Sequence, residues 1–105
     1  MGSSRWSVDL AGKGWVKMTF EQVKQVVAQY TTMLSQSGVK NKKHPSSGFL
    51  PSVEDALGHA RWMCEEIANM TDIEKAMRWL GFVQGVLWVT GRRTIDKMRD
   101  DNRAP

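Results

Sequence analysis

The residue types that do chemistry crowd into one stretch, "HARWMCEE", His59 to Glu66. Catalysis asks for a nucleophile, or for a tuned acid and base, held against one another. His59 and Cys64 stand five positions apart, so on a helix they point in different directions and make no local nucleophile pair. Glu65 and Glu66 are adjacent, do not face each other as a hydrolase's two carboxylates do, and read as a solvated face. No H-x-x-x-H or C-x-x-C spacing occurs, and no acidic loop has the calcium-binding pattern. "PSSG" and "GKG" lack the frame of a phosphate loop. The expectation is a protein that is not an enzyme and holds no metal and no cofactor.

Binding groups are better represented. Lys40, Lys42 and Lys43 lie in "KNKKH", and Arg92 and Arg93 lie in "GRRT". Such clusters can grip phosphate or an acidic surface. The arginines have a structural use as well, at the negative end of a helix or paired with Asp96 or Asp100. Trp62 and Trp79 each follow an arginine, in "ARWM" and "MRWL". Aromatic and guanidinium groups together can stack a base, and they are also common anchors of protein interfaces. The interface use is preferred, because no glycine-rich phosphate cradle accompanies the other.

Stepping outward, the elements that must hold these groups are helices. Thr19 and Gln22 form a capping box, followed by Phe20, Val23, Val27, Tyr30 and Leu34 on one stripe, with Gly38 closing the helix. Ser52 caps a second helix in which Val53, Ala56, Leu57, Ala60, Met63, Cys64 and Ile67 share a face. Thr71 and Glu74 suggest a further capping box, and the third helix stops at Gly91. Thr94 caps a short last helix, amphipathic through Ile95 and Met98. The expected boundaries are 19–37, 52–70, 72–90 and 94–101, with a loop over 38–51. The second and third helices should form an antiparallel hairpin. Residues 1–17 have no sustained period and read as a flexible N-terminal arm, leaving 18–105 as one helical domain. The fold class is therefore all-α, a small helical bundle.

Ala56, Ala60, Cys64 and Ala68 place small residues at every fourth position of the second helix, and Gly81 and Gly85 do so in the third. Mid-helix glycine costs about 1 kcal/mol relative to alanine, so close approach of a neighbouring helix is expected to compensate. The third helix, "WLGFVQGVLWV" at its centre, also carries two stripes. Ile73, Ala76, Met77, Leu80, Val83 and Leu87 should face the hairpin and first helix. Trp79, Phe82, Val86 and Val89 point elsewhere, and a 105-residue chain has little left to cover them. The N-terminal arm with Trp6 and Trp15, a second copy, or another partner could do so. Self-association is the preferred cover, and Trp62 joins this set as an interface residue.

Composition bounds the rest. With 41% hydrophobic and 25% charged residues the chain suits one small globular domain. The formal charge of +4 is unevenly placed. Residues 1–51 hold seven basic and two acidic groups, and residues 52–105 hold eight and nine. The positive field belongs to the arm and loop, a weak footprint for a DNA binder. One cysteine excludes an internal disulfide, and its apolar neighbours suit a reducing cytoplasm. No segment is long and apolar enough for a membrane span. "MGSSRW" fails the myristoylation pattern, since Trp6 stands where Ser or Thr is required.

Taken together, "ALGHARWMCEEI" and "EKAMRWLGFVQGVLWVTGRRTIDKMRDDN" resemble small all-helical accessory proteins of tailed bacteriophages and prophages. The resemblance covers about Met18 to Arg103, and no catalytic motif comes with it. It implies a phage-encoded setting in the host cytoplasm, where such proteins bind and disable a host protein or sequester a nucleotide signal used in defence. The expected function is thus a non-enzymatic, homo-oligomeric protein-binding module that inhibits a host protein by occupying its surface. The alternative is a nucleic-acid or nucleotide binder using Lys40, Lys42, Lys43, Arg92 and Arg93.

Overall fold

Each helix begins where a side chain can take up its first unpaired amides. In the computed structural model, which describes residues 6–9, 14–43 and 50–103 (for 6–9 and 14–17 the backbone course alone), four helices follow one another. They are α1 (Phe20–Gln36), α2 (Val53–Ala68), α3 (Ile73–Val89) and α4 (Ile95–Asn102). The Thr19 hydroxyl accepts from the Gln22 amide at 3.1 Å while the Gln22 side chain accepts from the Thr19 amide at 2.8 Å, completing the expected box. Ser52 and Thr94 accept from the amides of Asp55 and Lys97. At α3 the expected cap is displaced by one residue. Asp72, not Thr71, accepts from the amides of Glu74 and Lys75, and its carboxylate also suits the positive end of the helix.

Two helices end in the same way. Gly38 and Gly91 adopt φ of +82° and +75°, a region open to glycine because it lacks Cβ. The chain then folds back, so that Val39 and Arg92 donate to the carbonyls of Leu34 and Leu87. This double closure satisfies carbonyls that would otherwise end the helix unpaired.

Burial sorts the stripes. Val23, Val27, Tyr30 and Leu34 of α1, Leu57, Ala60, Met63, Cys64 and Ile67 of α2, and Ala76, Leu80, Val83 and Leu87 of α3 form one core, closed at its edge by Met18 and Val39. The α2–α3 hairpin packs on α1, and α4 lies against α1. This all-α bundle is the expected class. Val53 departs from its stripe, being 58% exposed at the first turn of α2.

The N-terminal segment differs from the irregular arm expected. Its backbone forms β1 (Trp6–Asp9) and β2 (Gly14–Lys17), an antiparallel pair in which Trp6 aligns with Lys17 and Asp9 with Gly14, and β1 runs beside α4. Four-residue strands carry too few alternations for the sequence to separate them from coil. The placement of the Trp6 and Trp15 side chains lies outside the described residues.

The described part of the loop after α1 lies against the fold. Residues 39–43 are strapped along α2: the Lys42 amide donates to the Gly58 carbonyl at 3.0 Å, and Arg61 donates to the Val39 carbonyl at 2.6 Å. Gly58 makes this possible, since a Cβ there would stand 2.8 Å from the Lys40 carbonyl oxygen. The close approach expected at Gly81 and Gly85 thus occurs at a different glycine.

Candidate functional site

Among the described residues, the thiol, the imidazole and one of the two carboxylates of "HARWMCEE" are committed within the fold. Cys64 is buried in the core, and loss of water around it pushes its thiol up to about 12. It remains protonated at neutral pH and behaves as a small apolar filler. His59 stacks on Trp62 with ring centroids 5.3 Å apart, and its Nδ1 donates to the Lys43 carbonyl at 2.7 Å. Glu65 accepts from Arg61 at 3.2 Å and from Asn41, and Glu66 is exposed. His59 and Cys64 thus lie in separate surroundings, one stacked on Trp62 and the other in the core.

The basic residues part company. Lys40, Lys42 and Arg92 line one cleft of about 590 Å³ between the end of α1 and the start of α2, with Glu54 on the same wall. Within it Lys42 pairs with Asp55 at 2.6 Å. Lys43 instead lies over the Trp62 ring at 5.8 Å. His44 and the "PSSG" segment lie outside the described residues.

Arg93 turns away from the cleft into the fold. Its guanidinium grips Asp101 through two bonds of 2.7 and 2.8 Å, in place of the Asp96 or Asp100 expected. Asp96 and Asp100 face outward on α4, beside Arg99 and Arg103, whereas Asp101 shares the inward face with buried Met98. The same carboxylate accepts the Tyr30 hydroxyl at 2.5 Å. Gln84 donates to Tyr30 at 3.1 Å and exchanges hydrogen bonds of 2.8 and 3.1 Å with Asn102. Burial, and then the Asp101 hydrogen bond, push the Tyr30 phenol above its ordinary range, and Asp101 raises Arg93. No buried side-chain polar atom among the described residues lacks a partner. A closed network of this kind fastens α4 to α1 and α3 and leaves no group aimed at a ligand.

The aromatic residues divide in two. Trp62 and Trp79 meet across the hairpin with centroids 5.8 Å apart, Lys75 lies over Trp79 at 5.2 Å, and both indoles pack partly buried against the core. Val86 does likewise. Phe82, Trp88 and Val89 are left outward, exposed by 56%, 54% and 74%. Gly81 and Gly85 share their face, and an added Cβ at either would meet nothing within 4 Å among the described residues. The outward stripe read from the sequence is present, with Trp79 and Val86 partly buried at its margin and Trp88 a further member. Trp88 follows Phe82 and Gly85 at helical spacing, a signal available in the sequence but masked by its place within an all-apolar run.

Ile95 extends this surface, since it and Trp88 line a shallow groove of about 480 Å³ together with residues 91–94, Asp96 and Lys97. The candidate site is accordingly the outward face of α3 from Arg78 to Val89, apolar over most of its length, with Arg92 just beyond the end of the helix. Comparison with known proteins found no matching family model, no matching curated protein and no matching solved structure. Among the described residues no helix is long and apolar enough to cross a membrane, and no cluster of His, Cys, Asp or Glu is disposed to hold a metal.

Proposed function

We propose that this protein is a non-enzymatic protein-binding module that acts by occupying a partner's surface. The observation that carries the reading is the outward face of α3, where Phe82, Trp88 and Val89 remain more than half exposed on a helix whose opposite face is committed to the core. Contiguous exposed apolar surface on a small domain marks an interaction site, and aromatic residues dominate the energy of such contacts. The buried, protonated Cys64 thiol and the engagement of His59 by Trp62 and the Lys43 carbonyl support a role without catalysis. From its resemblance to small phage proteins, we further propose a host protein in the bacterial cytoplasm as partner, with inhibition of a defence system as the outcome.

The test is affinity capture from a bacterial lysate with the wild type and with Phe82→Ala/Trp88→Ala. The variant should keep its helical circular dichroism and lose the proteins the wild type retains. An identical set of captured proteins would remove the α3 face from the function.

A second reading, nucleotide or nucleic-acid binding, is supported by the meeting of Lys40, Lys42 and Arg92 at one cleft. It proceeds without Arg93, which Asp101 engages, and against the local charge of Glu54 and Asp55. Salt-sensitive binding of a labelled oligonucleotide or cyclic nucleotide, lost on Lys40→Ala/Arg92→Ala, is its signature.

A further inference from the structure

We propose that the basic cleft beside α2 and the groove beside α4 form one site for single-stranded nucleic acid, in which Trp88 stacks an unpaired base while Lys40, Arg92 and Lys97 hold phosphates. The proposal rests on the reading of the cleft as a phosphate-binding site, and it names both the ligand and the group that takes its base.

Three observations lead to it. First, the two hollows adjoin: the cleft of about 590 Å³ lies between the end of α1 and the start of α2, the groove of about 480 Å³ between the end of α3 and the start of α4, and Arg92 lines both. Second, the cations on their walls are unequally committed. Lys42 pairs with Asp55 and Arg93 with Asp101, whereas Lys40, Arg92 and Lys97 are exposed and pair with no carboxylate among the described residues. Of the acids on the same walls, Asp96 lies 3.8 Å from Arg99, which leaves Glu54 to oppose three cations. Third, the groove supplies an unoccupied aromatic face. Trp62 and Trp79 already lie against each other and beneath Lys43 and Lys75, while Trp88 is 54% exposed and engages no ring or cation among the described residues.

This combination selects among anionic ligands. Every unpaired base offers a flat face that an indole can take up whatever the sequence, whereas a duplex keeps those faces stacked within itself and presents phosphate and groove edges instead. Hollows of this size suit ligands of about one nucleotide, and two that share a guanidinium suit successive nucleotides better than a lone one. The fork of Arg92 can grip the phosphate that joins them. Lys40 and Lys97 stand in opposite hollows, so each meets a phosphate to one side of that junction. The base beside Arg92 then lies on Trp88, with Ile95 completing the apolar wall.

Fluorescence anisotropy of a short labelled DNA single strand of mixed sequence tests this on the full chain. Wild-type affinity should fall roughly tenfold or more for a fourfold rise in salt, the response of three phosphate contacts. Trp88→Ala should weaken binding about tenfold at every salt concentration without changing that slope, and Trp88→Phe should recover most of the loss, because stacking releases no counterions. Lys40→Ala/Arg92→Ala should flatten the slope. Lys24→Ala, which removes a cation near the other end of α1 over Phe20, should change neither quantity. As competitors, the matching duplex and adenosine monophosphate should each displace the labelled strand far more weakly than the unlabelled strand does.

Binding indifferent to Trp88→Ala but lost in Lys40→Ala/Arg92→Ala overturns the joined site and keeps the phosphate cleft. Equal competition by the duplex or by the monophosphate overturns the single strand as ligand, and an equal loss in Lys24→Ala overturns a localised site. A wild type with no salt-sensitive binding to the single strand, the duplex or the monophosphate removes the cleft reading as well.

Discussion

Cys64 and Tyr30 are neutral acids whose protons the folded protein holds more tightly than the unfolded chain does. For the thiol, burial lifts the value from its ordinary 9.0 to about 12, and the phenol moves in the same direction through burial and its bond to Asp101. Below about pH 9 both states are protonated at these sites and stability is unaffected by pH. Above it the unfolded chain releases protons that the native state keeps, so stability falls as pH rises toward the folded values. The slope approaches about 1.4 kcal/mol per pH unit for each group involved. Urea midpoints between pH 7 and 11 should be level to about pH 9 and then decline. A level midpoint to pH 11 would contradict the burial of both groups. The burial of Cys64 was legible in the sequence, where it shares the apolar face of α2. The engagement of Tyr30 was not, because its partners lie on α3 and α4, more than fifty residues away.

At the scale of elements, capping residues and left-handed glycines set where helices begin and end, and these are local devices. Four helix positions followed from them nearly to the residue, with Asp72 replacing Thr71 because a carboxylate can serve two amides at once. Helix contacts are a different matter. Gly81 and Gly85 looked like points of close approach, but Gly58 is the one that admits neighbouring backbone. Gly58→Ala should force the strap over residues 39–43 away from α2 and cost about 2 kcal/mol by urea unfolding. The Lys42 amide should lose its protection from hydrogen exchange in the same variant. Retained protection would mean that the strap has room to move. What concealed Gly58 is its partner, a segment without periodicity whose path no pattern specifies.

Across the whole molecule, a single carboxylate joins three elements. Asp101 on α4 accepts from Arg93 beyond α3 and from Tyr30 on α1. Asp101→Ala would leave a partly buried guanidinium and a buried hydroxyl without their acceptor, for a loss of about 3 kcal/mol. Thermal unfolding checks the loss, and an unchanged melting temperature would show that α4 is held by Met98 and its neighbours alone. This network also explains why the two arginines of "GRRT" have separate fates: consecutive residues after a helix end diverge, and α4 provides an acceptor for one of them. Arg92 remains exposed at the edge of both the basic cleft and the α3 face.

The order of helices, their caps, the composition of the core and the separation of His59 from Cys64 were determined by the sequence itself, since each depends on residues within about a turn of one another. The rotation of α3 against its neighbours was decided only in three dimensions. That rotation leaves Trp79 and Val86 partly buried against the core and Phe82, Trp88 and Val89 outward, although all five read alike as apolar residues of one helix. The physical reason is that a helix with apolar groups around most of its circumference has several nearly equivalent faces. The choice among them rests on the volumes and polar partners that α1, α2 and α4 bring to it.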